Sequence, residues 1–130
     1  MKRWLGACAG LALVTAPPVL AATPSPARVQ ASADEFSFAL SRQSIRSGSA
    51  IVELVNYGED DHDLALRRIA PEAHTYRIGV VHPGHTGTLS RSLRPGRYRL
   101  WCTLADHRAR GMVATLVVRP KAASQSRVRA

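Results

Sequence analysis

The stretch from Cys102 to Met112 constrains this chain more than any other, because it places three metal-ligating side chains on one short loop. Four residues separate Cys102 from His107, and four more separate His107 from Met112. Strand-like runs lead into and out of the loop. A thiolate, an imidazole and a thioether together favour a soft, redox-active metal, and one more histidine completes a blue-copper ligand set. We predict that His62 is this fourth ligand.

The N-terminal segment has the layout of a secretory signal peptide. A basic pair at 2–3 precedes an apolar run over 4–14, and the small residues Ala21 and Ala22 precede a polar, Pro-rich stretch. The apolar run is short for a membrane-spanning helix, and prolines interrupt the segment. We therefore predict a signal peptide over 1–22, cleaved after Ala21 or Ala22, and export to the periplasm.

The remaining chain divides by composition into a linker over 23–27, a folded domain over 28–119 and a flexible basic tail over 120–130. Loss of 1–22 would leave Cys102 as the single cysteine. No internal disulfide could then form, so we expect this thiol to be reactive or a metal ligand. Taken alone, Cys102 could also be an inert buried cysteine.

The charge balance bears on the partners of the protein. The chain has 18 Lys and Arg against 9 Asp and Glu, a formal charge of +9, which loss of the basic pair at 2–3 lowers by two. The arginines are scattered and an exported domain rarely meets nucleic acid, so a basic surface that steers toward an acidic redox partner is the expected role. We expect a monomer that binds no nucleic acid and is not stably inserted in a membrane after cleavage.

Short segments separated by turn signals, with no long helical period, predict an all-β fold. The expected architecture is an antiparallel Greek-key sandwich or barrel of about seven to eight strands. The turn at Arg94-Pro95-Gly96 before Tyr98 also predicts a tyrosine corner, in which the phenol bonds back to the turn backbone. The segment 68–76 is ambiguous. The predicted strands are 28–33, 36–40, 50–55, 62–67, 77–81, 86–93, 97–102 and 113–118.

Side chains alternate along a strand, so each candidate ligand can be assigned to a face. Cys102 shares the inward face with Tyr98, opposite the arginines of the same strand. His62 and Met112 also lie at strand ends with inward parity, and His107 lies on the loop between two of these strands. One end of the sandwich is therefore expected to bring all four ligands together.

The whole pattern resembles the cupredoxins, the plastocyanin and azurin family of small blue copper proteins, over essentially 28–119. Two motifs carry the resemblance, and they are Asn56-x-Gly58-x3-His62 and Tyr98-x3-Cys102-x4-His107-x4-Met112. By this resemblance His62, Cys102 and His107 would be the strong trigonal ligands of one copper ion. Met112 would be the weak axial ligand, and the protein would carry one electron at a time between redox partners.

The chain departs from the family pattern at two places. Many members have Pro-Gly or a similar pair before the loop histidine, where this chain has Ala105 and Asp106. The Asp106 carboxylate could contact the ring of His107, lower the reduction potential or face water. Many members have Asn after the first histidine, bonded across to the residue after the cysteine. Here Asp63 and Thr103 hold these positions, and we predict that Asp63 accepts a hydrogen bond from Thr103.

Other metal sites and metals remain open from the sequence. Cysteine with two histidines also suits zinc, although zinc gains little from a thioether. His82 and His85 flank a Pro-Gly pair and form a second metal site only if the turn brings their rings together; otherwise they are turn surface. Arg108 and Arg110 flank His107 as a basic rim on which an acidic redox partner could dock.

Three functions fit a site of this kind. The first is one-electron transfer by a mononuclear copper site in the periplasm, and the second is copper carriage or buffering in copper homeostasis. The third is the copper domain of an enzyme, which needs a second catalytic centre that the sequence does not offer. Carriage often uses extra Met or His clusters, whereas Met112 is the only methionine beyond 1–22. The sequence therefore favours a non-enzymatic electron carrier.

Overall fold

Alternating apolar and polar residues build nine strands in the computed structural model, which describes Pro17, Leu20 and residues 22–122. This part of the chain contains no helix. The strands are β1 Ala27–Asp34, β2 Ser37–Leu40, β3 Ser44–Arg46, β4 Gly48–Asn56, β5 His62–Arg68, β6 Thr75–Val81, β7 Thr86–Leu93, β8 Gly96–Trp101 and β9 Val113–Arg119.

Two sheets form the sandwich. The four-stranded sheet has the order β2-β1-β4-β7, and the five-stranded sheet has the order β3-β9-β8-β5-β6. The pairs β1–β4 and β3–β9 are parallel, and the other pairs are antiparallel. The predicted all-β sandwich is confirmed.

Two details of that prediction differ from the structure. There are nine strands rather than seven or eight, because β3 has only three residues and is too short to show an alternating pattern. The sheets are mixed rather than wholly antiparallel. The alternation within a strand assigns its two faces but contains no information about the direction of its neighbours, so the parallel pairs could not be predicted.

The core lies between the sheets, where inward side chains of both pack together. Leu54 of β4 faces this space together with Leu66 of β5, Leu100 of β8 and Leu116 of β9, and all four are fully buried. Burial of one leucine side chain contributes about 1.5–3 kcal/mol. The apolar face of each strand is therefore what fixes the inward parity of the candidate ligands at the strand ends.

The predicted tyrosine corner is present. The Tyr98 hydroxyl donates a hydrogen bond to the carbonyl oxygen of Arg94 at 3.0 Å, and the side chain is buried. Burial raises the pKa of the Tyr98 phenol, so the group remains a donor. This bond ties the turn before β8 to the strand that ends next to Cys102.

The sequence also predicts a signal peptide at the N-terminus and a flexible tail at the C-terminus. Most of the predicted signal peptide over 1–22 and the tail from 123 onward lie outside the described residues. Among the described residues there is no helix with the length and apolar character needed to span a membrane.

Candidate metal centre

Asn56, at the end of β4, organises the loop that leads to His62. Its side-chain N–H groups donate to the carbonyl oxygens of Asp60 and Val81, both at 2.8 Å, and its side-chain oxygen accepts from the Gly58 N–H at 2.9 Å. Asn56 is fully buried, and a buried amide with all these partners holds its loop rigidly. The loop therefore delivers His62 to the start of β5 in a fixed position.

Glu35, in the turn between β1 and β2, ties a second element to this loop. One of its carboxylate oxygens accepts hydrogen bonds from the backbone N–H groups of Glu59, at 2.5 Å, and Asp60, at 3.2 Å. These bonds lower the pKa of the Glu35 carboxyl. Gly58 lies beneath this contact: a Cβ there would be 2.4 Å from the Glu35 carboxylate and 3.0 Å from Nε2 of His62. Any larger residue at this position would require the Glu35 carboxylate or the His62 ring to shift.

His62 begins β5, where the pairing with β6 is irregular between His62 and Leu64. Such irregularities are common beside functional sites because they change the direction of a side chain. His62 is fully buried, and its Nε2 has no hydrogen-bond partner within the described structure. Its other nitrogen, Nδ1, faces His107 and is the atom available to a metal.

The loop after β8 is closed by backbone hydrogen bonds among the candidate ligands themselves. The Cys102 N–H donates to the Met112 carbonyl at 3.2 Å, and the Met112 N–H donates to the His107 carbonyl at 3.0 Å. The His107 N–H donates to the Leu104 carbonyl at 3.1 Å. Gly111 has a φ of +111°, which glycine adopts without strain, and lets the chain turn into Met112.

These elements bring three candidate ligands to one point. His62 Nδ1 lies 3.3 Å from His107 Nδ1, and Cys102 Sγ lies 3.6 Å from His107 Nδ1. The three ligand atoms all lie within 4.8 Å of one another. His62 and Cys102 are fully buried and His107 is 8% exposed. Met112, the fourth predicted ligand, is fully buried on the loop that carries Cys102 and His107, and its backbone is hydrogen-bonded to both.

The electrostatics of the cluster favour a metal that binds thiolate and neutral imidazole. Burial raises the pKa of the Cys102 thiol, whereas hydrogen bonds from the backbone N–H groups of Asp63 and Leu104 lower it. Burial, and then the nearby His107, lower the pKa of His62 and keep its imidazole neutral. Neutral imidazole and thiolate are the forms that bind metals. A bound cation would therefore supply the charge that stabilises the buried thiolate.

The predicted link between the two ligand loops is present. Asp63 accepts hydrogen bonds from both the backbone N–H and the hydroxyl of Thr103. Asp63 follows His62 and Thr103 follows Cys102, so the bonds join the residues next to two candidate ligands.

The turn between β1 and β2 contributes a residue that the ligand motifs do not include. The predicted strand over 36–40 is wrong at Phe36, which lies in the turn with a φ of 59°, uncommon for a residue other than glycine. Its ring packs edge-on against the His107 ring, with centroids 5.2 Å apart, and the Arg110 guanidinium carbon lies 3.4 Å from the Phe36 centroid. The sequence signal that could have identified Phe36 is an aromatic residue directly after two acidic residues.

Other residues singled out in the sequence lie apart from this cluster. His82 Nδ1 pairs with the Asp61 carboxylate at 2.7 Å, and His85 Nδ1 pairs with the Pro83 carbonyl at 3.0 Å. Their ring centroids are 6.3 Å apart, and each ring has its own partner. Asp106 is exposed.

The two arginines of the predicted basic rim diverge. Arg110 covers Phe36, whereas the guanidinium carbon of Arg108 lies 4.9 Å from the centroid of the Trp101 ring, on the face of the five-stranded sheet. Arg108 therefore places its charge on the face of the five-stranded sheet, whereas Arg110 places its charge over Phe36.

Comparisons with known proteins support the fold. No protein-family model and no curated protein matches the chain. Solved structures with a similar fold include dithionite-reduced auracyanin from Roseiflexus castenholzii, with a TM-score of 0.60 at 15% identity, covering 75% of this chain and 100% of that one. Auracyanin A from Chloroflexus aurantiacus, described as a "blue" copper protein, has a TM-score of 0.59 at 13% identity. This match covers 73% of this chain and 100% of that one.

Rusticyanin from Thiobacillus ferrooxidans has a TM-score of 0.57 at 19% identity, covering 75% of this chain and 79% of its own. Identities this low establish the fold alone. The protein is thus a cupredoxin-like β-sandwich, and its cluster of His62, Cys102 and His107 fits one copper ion by the chemistry of the donor set.

Proposed function

We propose that this protein is an exported type 1 copper protein that carries single electrons between redox partners. His62, Cys102 and His107 would hold one copper ion as strong ligands, with Met112 as the weak axial ligand. The observation that carries the proposal is the convergence of both Nδ1 atoms on the Cys102 sulfur in a buried part of the sandwich. Bound copper would supply a one-electron couple, for which this donor set is suited in both oxidation states.

The protein frame around the cluster favours electron transfer. Cys102, His107 and Met112 are joined by backbone hydrogen bonds, and Asn56 fixes the approach to His62. A frame held in this way keeps the ligand positions nearly constant when the charge of the metal changes. The N–H groups that point to the Cys102 sulfur stabilise the thiolate and so tune the reduction potential.

Burial of the ligands favours a resident metal over a metal that is cargo. Only His107, at 8%, has measurable exposure among the three clustered ligands. The Phe36 ring covers part of the His107 ring. A copper carrier or buffer must release its metal readily, whereas a buried ligand set retains it.

Export is supported by the sequence of residues 1–22, with its basic start, apolar run and small residues at Ala21 and Ala22. Electron carriers and copper buffers of the periplasm would both be made in this way. The segment therefore supports the compartment in this proposal without distinguishing the two functions.

Electron carriage and copper carriage differ in two rates, the rate of electron exchange and the rate of copper release. We would load the purified protein with copper, cycle it with hexacyanoferrate by stopped flow, and separately follow copper loss to a Cu(I) chelator. Electron carriage predicts fast, repeated oxidation and reduction with the copper retained, and slow loss to the chelator. Copper that reaches the chelator faster than electrons exchange would favour the carrier or buffer function.

A further inference from the structure

The outer face of the five-stranded sheet holds an unusual pair of like charges. Arg67 of β5 lies directly opposite Arg99 of β8, and both side chains are exposed, whereas Leu66 and Leu100 beside them are buried in the core. Like charges directly opposite each other destabilise a sheet. The ion pairs found in the described part of the chain involve Arg28 and His82, so neither arginine of the pair is neutralised there.

A groove of about 610 Å³ adjoins this pair. Its lining combines charge with apolar surface, and we call it the arginine groove, defined by Arg67, Arg68, Arg99, Arg108, Trp101 and Ile69. Ile69 is 56% exposed, a large value for a residue of its size and polarity. Within the described structure no carboxylate lines the groove. Strands β6, β8 and β9 contain no acidic residue at all.

The composition of the arginine groove fits a protein partner. Tryptophan and arginine are the residue types most enriched at the energetic centres of protein interfaces. A groove with an aromatic lining can bind side chains of a partner, whereas attraction to an anionic lipid surface requires only exposed positive charge. Unneutralised arginines at such a surface are complementary to carboxylates.

We propose that the arginine groove is the docking surface for an acidic segment of a redox partner protein. The partner would place carboxylates against Arg67 and Arg99 and an apolar side chain against Trp101. Because Trp101 is bonded to Cys102, a partner in the groove contacts the residue next to a candidate copper ligand. That the partner is a redox protein rests on the proposed function, but binding of acidic protein segments does not require a metal.

The test is an NMR titration of isotope-labelled protein, metal-free and copper-loaded, with a poly-glutamate peptide at low salt. We expect the largest shift changes at residues of the arginine groove. R67E/R99E should weaken binding about tenfold or more, since it replaces two attractive contacts by two repulsive ones. R42E/R91E makes the same change of net charge on exposed arginines elsewhere and should weaken binding by only about twofold, through long-range attraction.

The controls make each outcome decisive. Thermal unfolding of every variant checks the fold, and R67Q/R99Q is the substitute should charge reversal prevent folding. Equal weakening by the two charge-reversal variants, or shift changes centred away from the groove, would overturn the proposal. So would phosphatidylglycerol vesicles that bind through the groove while the peptide does not. Failure of the copper site would change only the copper-loaded samples, so it is distinguishable from failure of docking in the metal-free protein.

Discussion

Asp63 and Thr103 join the two ligand segments of the sandwich at the point where the candidate ligands converge. The carboxylate accepts from both the backbone N–H and the hydroxyl of Thr103, and each residue directly follows a candidate ligand in the chain. The bonds therefore fix the distance between the start of β5 and the end of β8. A site whose ligands come from two separate segments depends on such a link for its geometry.

Asp63→Ala should loosen the site as well as the fold. The substitution leaves the Thr103 N–H without its acceptor, and we expect the free energy of unfolding to fall by about 1–3 kcal/mol. The copper absorption and potential should change too. Thr103→Val is the matched control, because it removes only the hydroxyl bond and should cost less, about 0.5–1.5 kcal/mol. Urea unfolding and voltammetry would measure both; an unchanged spectrum and potential in Asp63→Ala would contradict this role.

Phe36→Ala should expose His107 to solvent. The variant removes the ring that packs on the His107 imidazole and that supports Arg110. We expect copper loss to a chelator to become at least several-fold faster. Phe38→Ala removes an aromatic ring that packs against the core elsewhere and should lower stability without this acceleration. Equal rates of copper loss in the two variants would show that Phe36 does not shield the site.

Gly58→Ala should disturb the entrance to β5. The added methyl group would lie 2.4 Å from the Glu35 carboxylate and 3.0 Å from His62 Nε2, so one of these groups must move. Movement of the Glu35 carboxylate would weaken its hydrogen bonds from the Glu59 and Asp60 N–H groups, and one such bond contributes about 0.5–1.5 kcal/mol. At Gly79 a Cβ would meet nothing within 4 Å, so Gly79→Ala is the control. Calorimetry should find a lower melting temperature for Gly58→Ala alone; equal melting temperatures would refute the close contact.

The Glu35 carboxylate should make stability depend on pH in the acid range. Hydrogen bonds from the Glu59 and Asp60 N–H groups lower its pKa from the ordinary 4.5. The unfolded chain then binds this proton more readily, so the stabilisation is present above pH 4.5 and is lost as the pH falls through the lower folded value. Glu35→Gln should flatten this part of the curve of unfolding free energy against pH.

Glu72→Gln removes an exposed carboxylate for which the described structure has no hydrogen bond, and it is the control for Glu35→Gln. The same acid dependence in Glu35→Gln as in the unmodified protein would mean that the two N–H contacts do not persist in solution.

The features that the sequence predicted are those encoded by spacing and alternation along single segments. The ligand spacing, the inward parity of Cys102 and the corner at Tyr98 are all local patterns. The contribution of Phe36 depends on how a turn between two strands reaches across to a different loop. The opposition of Arg67 and Arg99 depends on the register between β5 and β8. Register and packing between segments are set by the whole core, so neither feature could be predicted from the chain alone.

The central claim is that Cys102 binds copper together with His62 and His107, and copper spectroscopy tests it most directly. We would add Cu(II) to the purified protein and record visible absorption and electron paramagnetic resonance spectra, with Cys102→Ala beside it. The claim predicts an intense thiolate-to-copper band with narrow copper hyperfine splitting, both lost in Cys102→Ala. A colourless protein, or ordinary tetragonal copper that survives in Cys102→Ala, would contradict it.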